Sequence, residues 1–366
     1  MKNQINARSH YIIIFLLISI LVLCSCSYPP PDLPTPPPVT TVPVSRTGAG
    51  WVQIYFTDPA AANARDYEGG PDENLATAID EARLSVDMAA YSLNLWSIRD
   101  ALLHAHQRGV KVRLVMESDN MDTSEVQELV AAGIPIIGDQ REGLMHDKFV
   151  VIDRSEVWTG SMNYTVSGAY KDNNNLLLIR SVQVAEDYTN EFEEMFAENL
   201  FGPDGIANTP FPKLTIDGTP VEIYFSPDDG VAKRIVELIN GAQENIYFMA
   251  FSFTSNDIGA AVIERAQAGL DVSGVMDDGQ IASNQGTEYD PFMQAGLDVR
   301  KDGNTDGLMH HKVIIIDRKI VITGSYNFTA SAEDSNDENV VIIFSPDIAA
   351  QYLGEFQRVY SQAEQP

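Results

Sequence analysis

The sequence predicts an α/β fold written twice: two similar domains, each a mostly parallel mixed sheet flanked by helices. Three observations predict it. Short apolar or alternating runs take turns with amphipathic stretches of about 10–15 residues, the pattern of βαβ units. Segments of the first half recur in order in the second. Finally, GLMHDKFVVID at 143–153 returns as GLMHHKVIIID at 307–317.

The elements follow in order. Lys2 and Arg8 precede an apolar run from Tyr11 to Leu23, the length of a signal-peptide core and too short to span a bilayer. LVLCSCS then resembles a bacterial lipoprotein signal, with Cys26 as the acylated residue; an ordinary secretory signal is the alternative. Either way the chain is expected to be exported, to the cell envelope or beyond. Residues 1–26 are thus read as signal peptide and 27–50 as a proline-rich linker, too rich in proline to build a core. Both cysteines lie in the leader, so the folded part has no disulfide.

The repeat begins at residue 51. VQIYFTDP (52–59) matches VEIYFSP (221–227) as a strand ending in a turn. Helices are expected over 72–83 and 231–242, then strands SVDMAAYSL and NIYFMAFSF, in which Ala90–Leu93 aligns with Ala250–Phe253. The next helices close on Gly109 and Gly269 and lead into VKVRLVME and LDVSGVMDD. Ser124-x-x-Gln127 reads as a capping box opening a short helix. Helices at 184–199 and 347–361 end the copies, and FGPDGIANTPFPKL (201–214) is the expected linker, giving domains 51–205 and 206–366.

Charge narrows the function. Against 24 Lys and Arg stand 52 Asp and Glu, net −28. Residues 51–205 carry 11 basic and 27 acidic groups, and residues 206–366 carry 10 and 24. Neither half offers the basic surface that follows a phosphate backbone, which disfavours nucleic acid as partner.

The recurring motif carries the chemistry. His146, Lys148, Asp153, Gly160, Ser161 and Asn163 recur as His310, Lys312, Asp317, Gly324, Ser325 and Asn327, all at the pattern H-x-K-x4-D-x6-G-S-x-N. A buried ammonium needs an anionic partner. Lysine, asparagine and imidazole together suit a phosphate group. Two such sets facing one another could hold it while one imidazole attacks phosphorus and the other protonates the leaving group. His311 points to the opposite side from His310 and is given no role, and His104 and His106 are read as surface residues. The acidic stretches 117–122 and 276–280 follow parallel strands and could line the mouth of a cleft.

This doubled pattern resembles the HKD motifs of the phospholipase D superfamily over nearly all of residues 51–360. The resemblance implies two α/β domains about a pseudo-twofold axis, as a monomer with both motifs in one cleft, and a cofactor- and metal-independent phosphodiesterase working through a covalent phosphohistidine. By position it makes His146 and His310 the nucleophile and the general acid/base. Lys148, Lys312, Asn163 and Asn327 become phosphoryl ligands, with Ser161 and Ser325 supporting the phosphate or the half-site geometry. Asp153 and Asp317 complete the motifs and are read as structural, bonding turn amides. The family also carries an acidic residue eleven positions after the motif Asn, oriented towards the His of its own motif: Glu338 in copy two, but Asn174 in copy one. On that basis His310 with Glu338 is expected to be the protonated acid and His146 the neutral nucleophile. Phospholipid at a membrane is the leading substrate; a nuclease of the same superfamily and a weakly active binding module are the alternatives.

Overall fold

The computed structural model describes residues 50–363; the expected leader, Cys26 and the proline-rich stretch lie outside them. Seven strands form the first sheet: β1 (Val52–Phe56), β2 (Ser85–Ala90), β3 (Lys111–Met116), β4 (Ile136–Gly138), β5 (Lys148–Ile152), β6 (Glu156–Gly160) and β7 (Asn175–Arg180), in the order β1-β7-β6-β5-β2-β3-β4. Eight form the second: β8 (Lys213–Ile216), β9 (Thr219–Ser226), β10 (Asn245–Ala250), β11 (Asp271–Met276), β12 (Asp298–Lys301), β13 (Lys312–Ile316), β14 (Ile320–Gly324) and β15 (Glu338–Phe344), in the order β12-β11-β10-β13-β14-β15-β9-β8. From one sheet to the other the plan repeats, β8 being the addition.

Both sheets are mixed and flanked by helices, as expected, but parallel pairing is confined to β2-β3-β4 and β10-β11-β12; the remaining pairs are antiparallel. The cause is local. After each motif the chain turns back at Asp153-Arg154 and Asp317-Arg318, all four with φ of 52–53°. Positive φ at both central residues is what a tight hairpin needs to match strand twist, and Asp tolerates it. A hairpin therefore stands where a crossover helix would have made the pairing parallel. The expected linker also contains structure, since Lys213–Ile216 adds to the sheet edge as β8. The helix at 124 is capped by Thr123, whose hydroxyl accepts the Val126 N–H, instead of by Ser124.

The core lies in three parts. One apolar cluster fills the outer side of each sheet under its helices, and a third lies between the sheets and draws on both. The long helices Val182–Glu198 and Pro346–Gln362 supply its centre, through Tyr188, Phe192, Tyr352 and Phe356. Tyr188 sits edge-on to Phe149 of β5 and to Phe225 of β9, 5.0 Å from each. Each fully buried aromatic contributes about 1.5–3 kcal/mol. The repeats are therefore welded through a common interior.

Candidate active site

Each motif His lies in the loop just ahead of β5 or β13, and two anchors fix that loop. The first is a carboxylate at the end of the neighbouring parallel strand: Glu117 accepts the Met145 N–H at 3.0 Å, and Asp277 accepts the Met309 N–H at 3.1 Å. These are members of the acidic stretches expected at the cleft mouth; they hold the His loops instead. The second anchor is the other repeat. His146 donates its backbone N–H to Asp337 O and Asp337 returns one to Leu144 O, at 3.0 and 2.9 Å. His310 donates to Asn173 O and Asn173 to Leu308 O, at 3.0 and 2.7 Å. Each half-site thus leans on the opposite repeat, and the motifs meet.

The side chains cross over in the same way. His146 Nδ1 is 2.8 Å from Glu338 Oε2, while His310 Nδ1 is 2.9 Å from Asn174 Oδ1 and 3.1 Å from Ser161 O. The expectation that Glu338 serves His310, within its own motif, is therefore wrong. The segment ahead of β15 reaches across the junction between repeats, so its first residue backs the His of the other motif. With oxygens against both Nδ1 atoms, the ring proton sits there and Nε2 is left with its lone pair. Burial, together with Lys148 and Lys312, pushes both imidazoles well below their usual range, so both are neutral in the unliganded site. The same burial brings Lys148 down to about 7, lowers Lys312 and raises Glu338 to about 7. The paired backbone bonds and the Glu338–His146 and Asn174–His310 contacts bring the two motifs to one site. A bound anion would restore charge to both ammonium groups.

Two similar halves meeting at one site is the arrangement the motif resemblance implied, although their crossing over at the histidines is not, and comparison with known proteins agrees on the family. The family model described as "Cardiolipin synthase, PLD-like domain" matches twice, at residues 75–196 and 235–360. The chain belongs to the phospholipase D-like family. By that membership it is a phosphodiesterase hydrolase. Among curated relatives it is similar to "Phospholipase D" of Rickettsia bellii, 34% identical over 164 residues, covering 43% of this chain and 81% of that protein. It is also similar to "Mitochondrial cardiolipin hydrolase" of Chlamydomonas reinhardtii, 34% identical over 127 residues, 35% of this chain and 56% of that one. The fold is that of phosphatidylserine synthase from Haemophilus influenzae, with TM-score 0.66, 12% identity, and 86% and 87% of the two chains covered.

Within this phospholipase D-like site the remaining motif residues divide. Lys148 Nζ donates to His146 O at 2.7 Å, and Lys312 Nζ to His310 O at 3.0 Å, with His310 Nε2 3.2 Å away. Tyr91 and Phe251 pack on them: their rings lie 4.8 and 4.6 Å from the His rings and 5.0 and 4.7 Å from the Lys Nζ atoms. Asn163 and Asn327 each keep a buried Oδ1 with no protein partner, so the fold does not consume these carboxamides. Asp153 is removed from the pocket, accepting the N–H groups of Arg83, Leu84 and Ser85; Asp317 does the same for Gln243, Glu244 and Asn245. Their grouping with the catalytic residues is corrected, and the structural reading stands. For the serines the half-site-geometry reading holds, and their grouping as substrate-binding residues is corrected. Both are fully buried, and Ser161 Oγ donates to the side-chain oxygens of Asn174 and Asn175, while Ser325 hydrogen-bonds Glu338 and accepts Asn339 N–H. They hold the residues behind the imidazoles and do not line a substrate surface. Gly160 and Gly324 precede them because a Cβ there would lie 2.3 and 2.1 Å from the carbonyl oxygens of Asn175 and Asn339, at φ of 151° and 146°.

Sequence reasoning missed Asn175 and Asn339. Asn339 Nδ2 donates to Asp147 in the first repeat, and its Oδ1 accepts from Thr159 and Tyr188; Asn175 Nδ2 donates to Thr323 and Tyr352 of the second. Their repetition directly after Asn174 and Glu338 was the available signal. His311 is buried between Asn175 and Glu355, facing away from the cleft, and His104 is exposed. Among the described residues no group of three His, Cys, Asp or Glu side chains is arranged to hold a metal ion.

Proposed function

We propose that this protein hydrolyses phospholipid phosphodiesters by covalent catalysis, with His146 as nucleophile and His310 as general acid and base. The observation that carries the assignment is the His146–Glu338 bond at 2.8 Å. A nucleophilic imidazole becomes cationic once Nε2 binds phosphorus, and a carboxylate on Nδ1–H stabilises that charge as no amide can. Lys148, Lys312, Asn163 and Asn327 hold the non-bridging oxygens. The Nε2 lone pair of His146 forms the N–P bond as the P–O bond to the leaving group breaks, its electron pair going to the departing oxygen. Water then attacks the phosphohistidine, His310 takes its proton, and the N–P electrons return to His146.

Phospholipid is favoured by the names of the relatives, "Phospholipase D" and "Mitochondrial cardiolipin hydrolase", and by the net charge of −28, which repels nucleic acid. An exported chain anchored through Cys26 would meet its substrate in the adjacent bilayer, acting as a monomer with an internal duplicate. Incubating the protein and its His146→Ala variant with phosphatidylcholine, cardiolipin and plasmid DNA tests this. Release of a lipid headgroup or of phosphatidic acid, lost in the variant, is expected, and acid quenching should trap phosphate on His146. Cleavage of DNA with both lipids untouched would overturn the substrate reading, and phosphate trapped on His310 alone would reverse the roles.

A further inference from the structure

The two imidazoles are backed by chemically different groups at equivalent positions, and that difference falls on the proton donor. Glu338 begins β15 and backs His146; Asn174, immediately before β7, backs His310. Both side chains are fully buried, so no water substitutes for either. Asn174 is also held in one orientation. Its Nδ2 donates to Gly168 O at 2.9 Å and its Oδ1 accepts from Ser161 Oγ at 2.8 Å, which turns the oxygen, not the NH2, towards His310 Nδ1. His310 therefore has two neutral acceptors on Nδ1 and no carboxylate. The charged groups that face it, Lys148, Lys312 and, when protonated, His146, all disfavour a second proton on the ring.

Resting on the roles assigned above, we infer that Asn174 sets leaving-group sensitivity: it leaves His310 seldom protonated at Nε2, so that alkoxide-leaving substrates, the proposed phospholipids among them, turn over more slowly than phosphodiesters whose leaving group is weakly basic, such as a phenolate. When His310 is cationic, its Nε2 proton goes to the departing oxygen. When it is neutral, the oxygen leaves with the electron pair as an anion and takes its proton from solvent, which is slow unless that anion is stable. The second half of the reaction is not handicapped, because a neutral His310 is already in the state needed to accept a proton from water. Asn174 is a positioning residue: it acts through His310 and touches no substrate.

The test uses the full chain and a series of methyl phosphodiesters, with leaving groups from 4-nitrophenol through phenol to trifluoroethanol, spanning leaving-group pKa values of about 7 to about 12. Wild type should lose at least about 10³-fold in kcat/KM along the series, within the 10²- to 10⁴-fold that general acid catalysis supplies. Asn174→Glu copies the other half-site and should flatten the slope, recovering about 10- to 100-fold at the basic end. Glu338→Gln, acting on the nucleophile, should lower the whole series by a similar factor and leave the slope as it was. A shallow slope in wild type overturns the inference without any variant, which covers the case in which Asn174→Glu fails to fold. Equal slopes in wild type and folded Asn174→Glu overturn it as well. Turnover that survives His146→Ala would instead sink the assignment of roles, a separate failure.

Discussion

The two half-sites match residue for residue where they would touch a phosphate and diverge one layer behind it. Lys148 and Lys312, Asn163 and Asn327, Tyr91 and Phe251 occupy equivalent positions with near-equal contacts. Behind them Glu338 stands where the other half has Asn174. Deeper still, Asp147, which burial raises to about 7, takes the place of His311, and only His311 has the Glu355–Arg358 pair beside it. A phosphoryl group has oxygens on both sides, so the grip must stay paired. In the proposed mechanism the two imidazoles do opposite jobs, so their backing need not. On that proposal, duplication supplied the symmetric grip, and substitution one layer back divided the labour.

The strongest way to break this comparison is to remove each imidazole in turn. His146→Ala should lose about 10⁴-fold or more in kcat/KM on every substrate, because no N–P bond can form. His310→Ala should lose about 10²-fold on both a 4-nitrophenyl and an alkyl diester, because a His310 that is mostly neutral when the oxygen leaves acts chiefly by taking the proton from water afterwards. Steady-state kinetics on the two substrates check this, and equal losses for both variants on both would mean that the halves do not differ in role.

The pH profile sharpens it. His146 is lowered by burial and by the two lysines, so it is neutral and nucleophilic from mildly acidic pH upward. Lys148, pushed down to about 7, loses its proton in the free enzyme as the pH rises through that value, and with it the charge that holds the phosphate. Hence kcat/KM should fall above about pH 7, by up to tenfold per unit. The limb in kcat should lie higher, because bound phosphate favours the ammonium form. Lys148→Arg, which stays charged, should lift the alkaline limb of kcat/KM. If that limb is untouched, another group sets it.

Most of the fold was legible because duplication doubled every signal: a strand or helix suggested weakly in one copy recurs in the other. The motif residues were legible because chemistry fixes their type and spacing. What could not be read was which residue faces which across the junction. Spacing along the chain places Glu338 eleven residues after Asn327, but not on His146, because the crossover arises from the path of the segment ahead of β15 between two repeats. The roles of Glu117 and Asp277 were hidden for a similar reason. A carboxylate at a strand end looks alike whether it meets solvent or a backbone N–H from a distant loop. Parallel pairing was overestimated because alternating strands and helices say nothing of hairpins placed between them.

The smallest expected effect falls where the halves are most alike. Asp153 gathers three consecutive backbone N–H groups, at 2.7–3.1 Å, and Asp317 gathers three at 2.7–3.2 Å, both from residues at φ of 52° in a hairpin turn. Each carboxylate ties the start of β2 or β10 to the far end of the motif strand, away from the pocket. Replacing one oxygen by NH2 sets a donor against a donor, so Asp153→Asn and Asp317→Asn should each cost about 1–3 kcal/mol. In a chain of this size that lowers Tm by about 2–4 °C per kcal/mol. Activity per folded molecule should hold at 25 °C, and the two variants should lose similar amounts, since neither contact knows which imidazole attacks. Thermal unfolding alongside active-site titration measures both. A drop in kcat for one variant alone, with Tm intact, would show that these aspartates reach the chemistry and that the asymmetry extends into the scaffold.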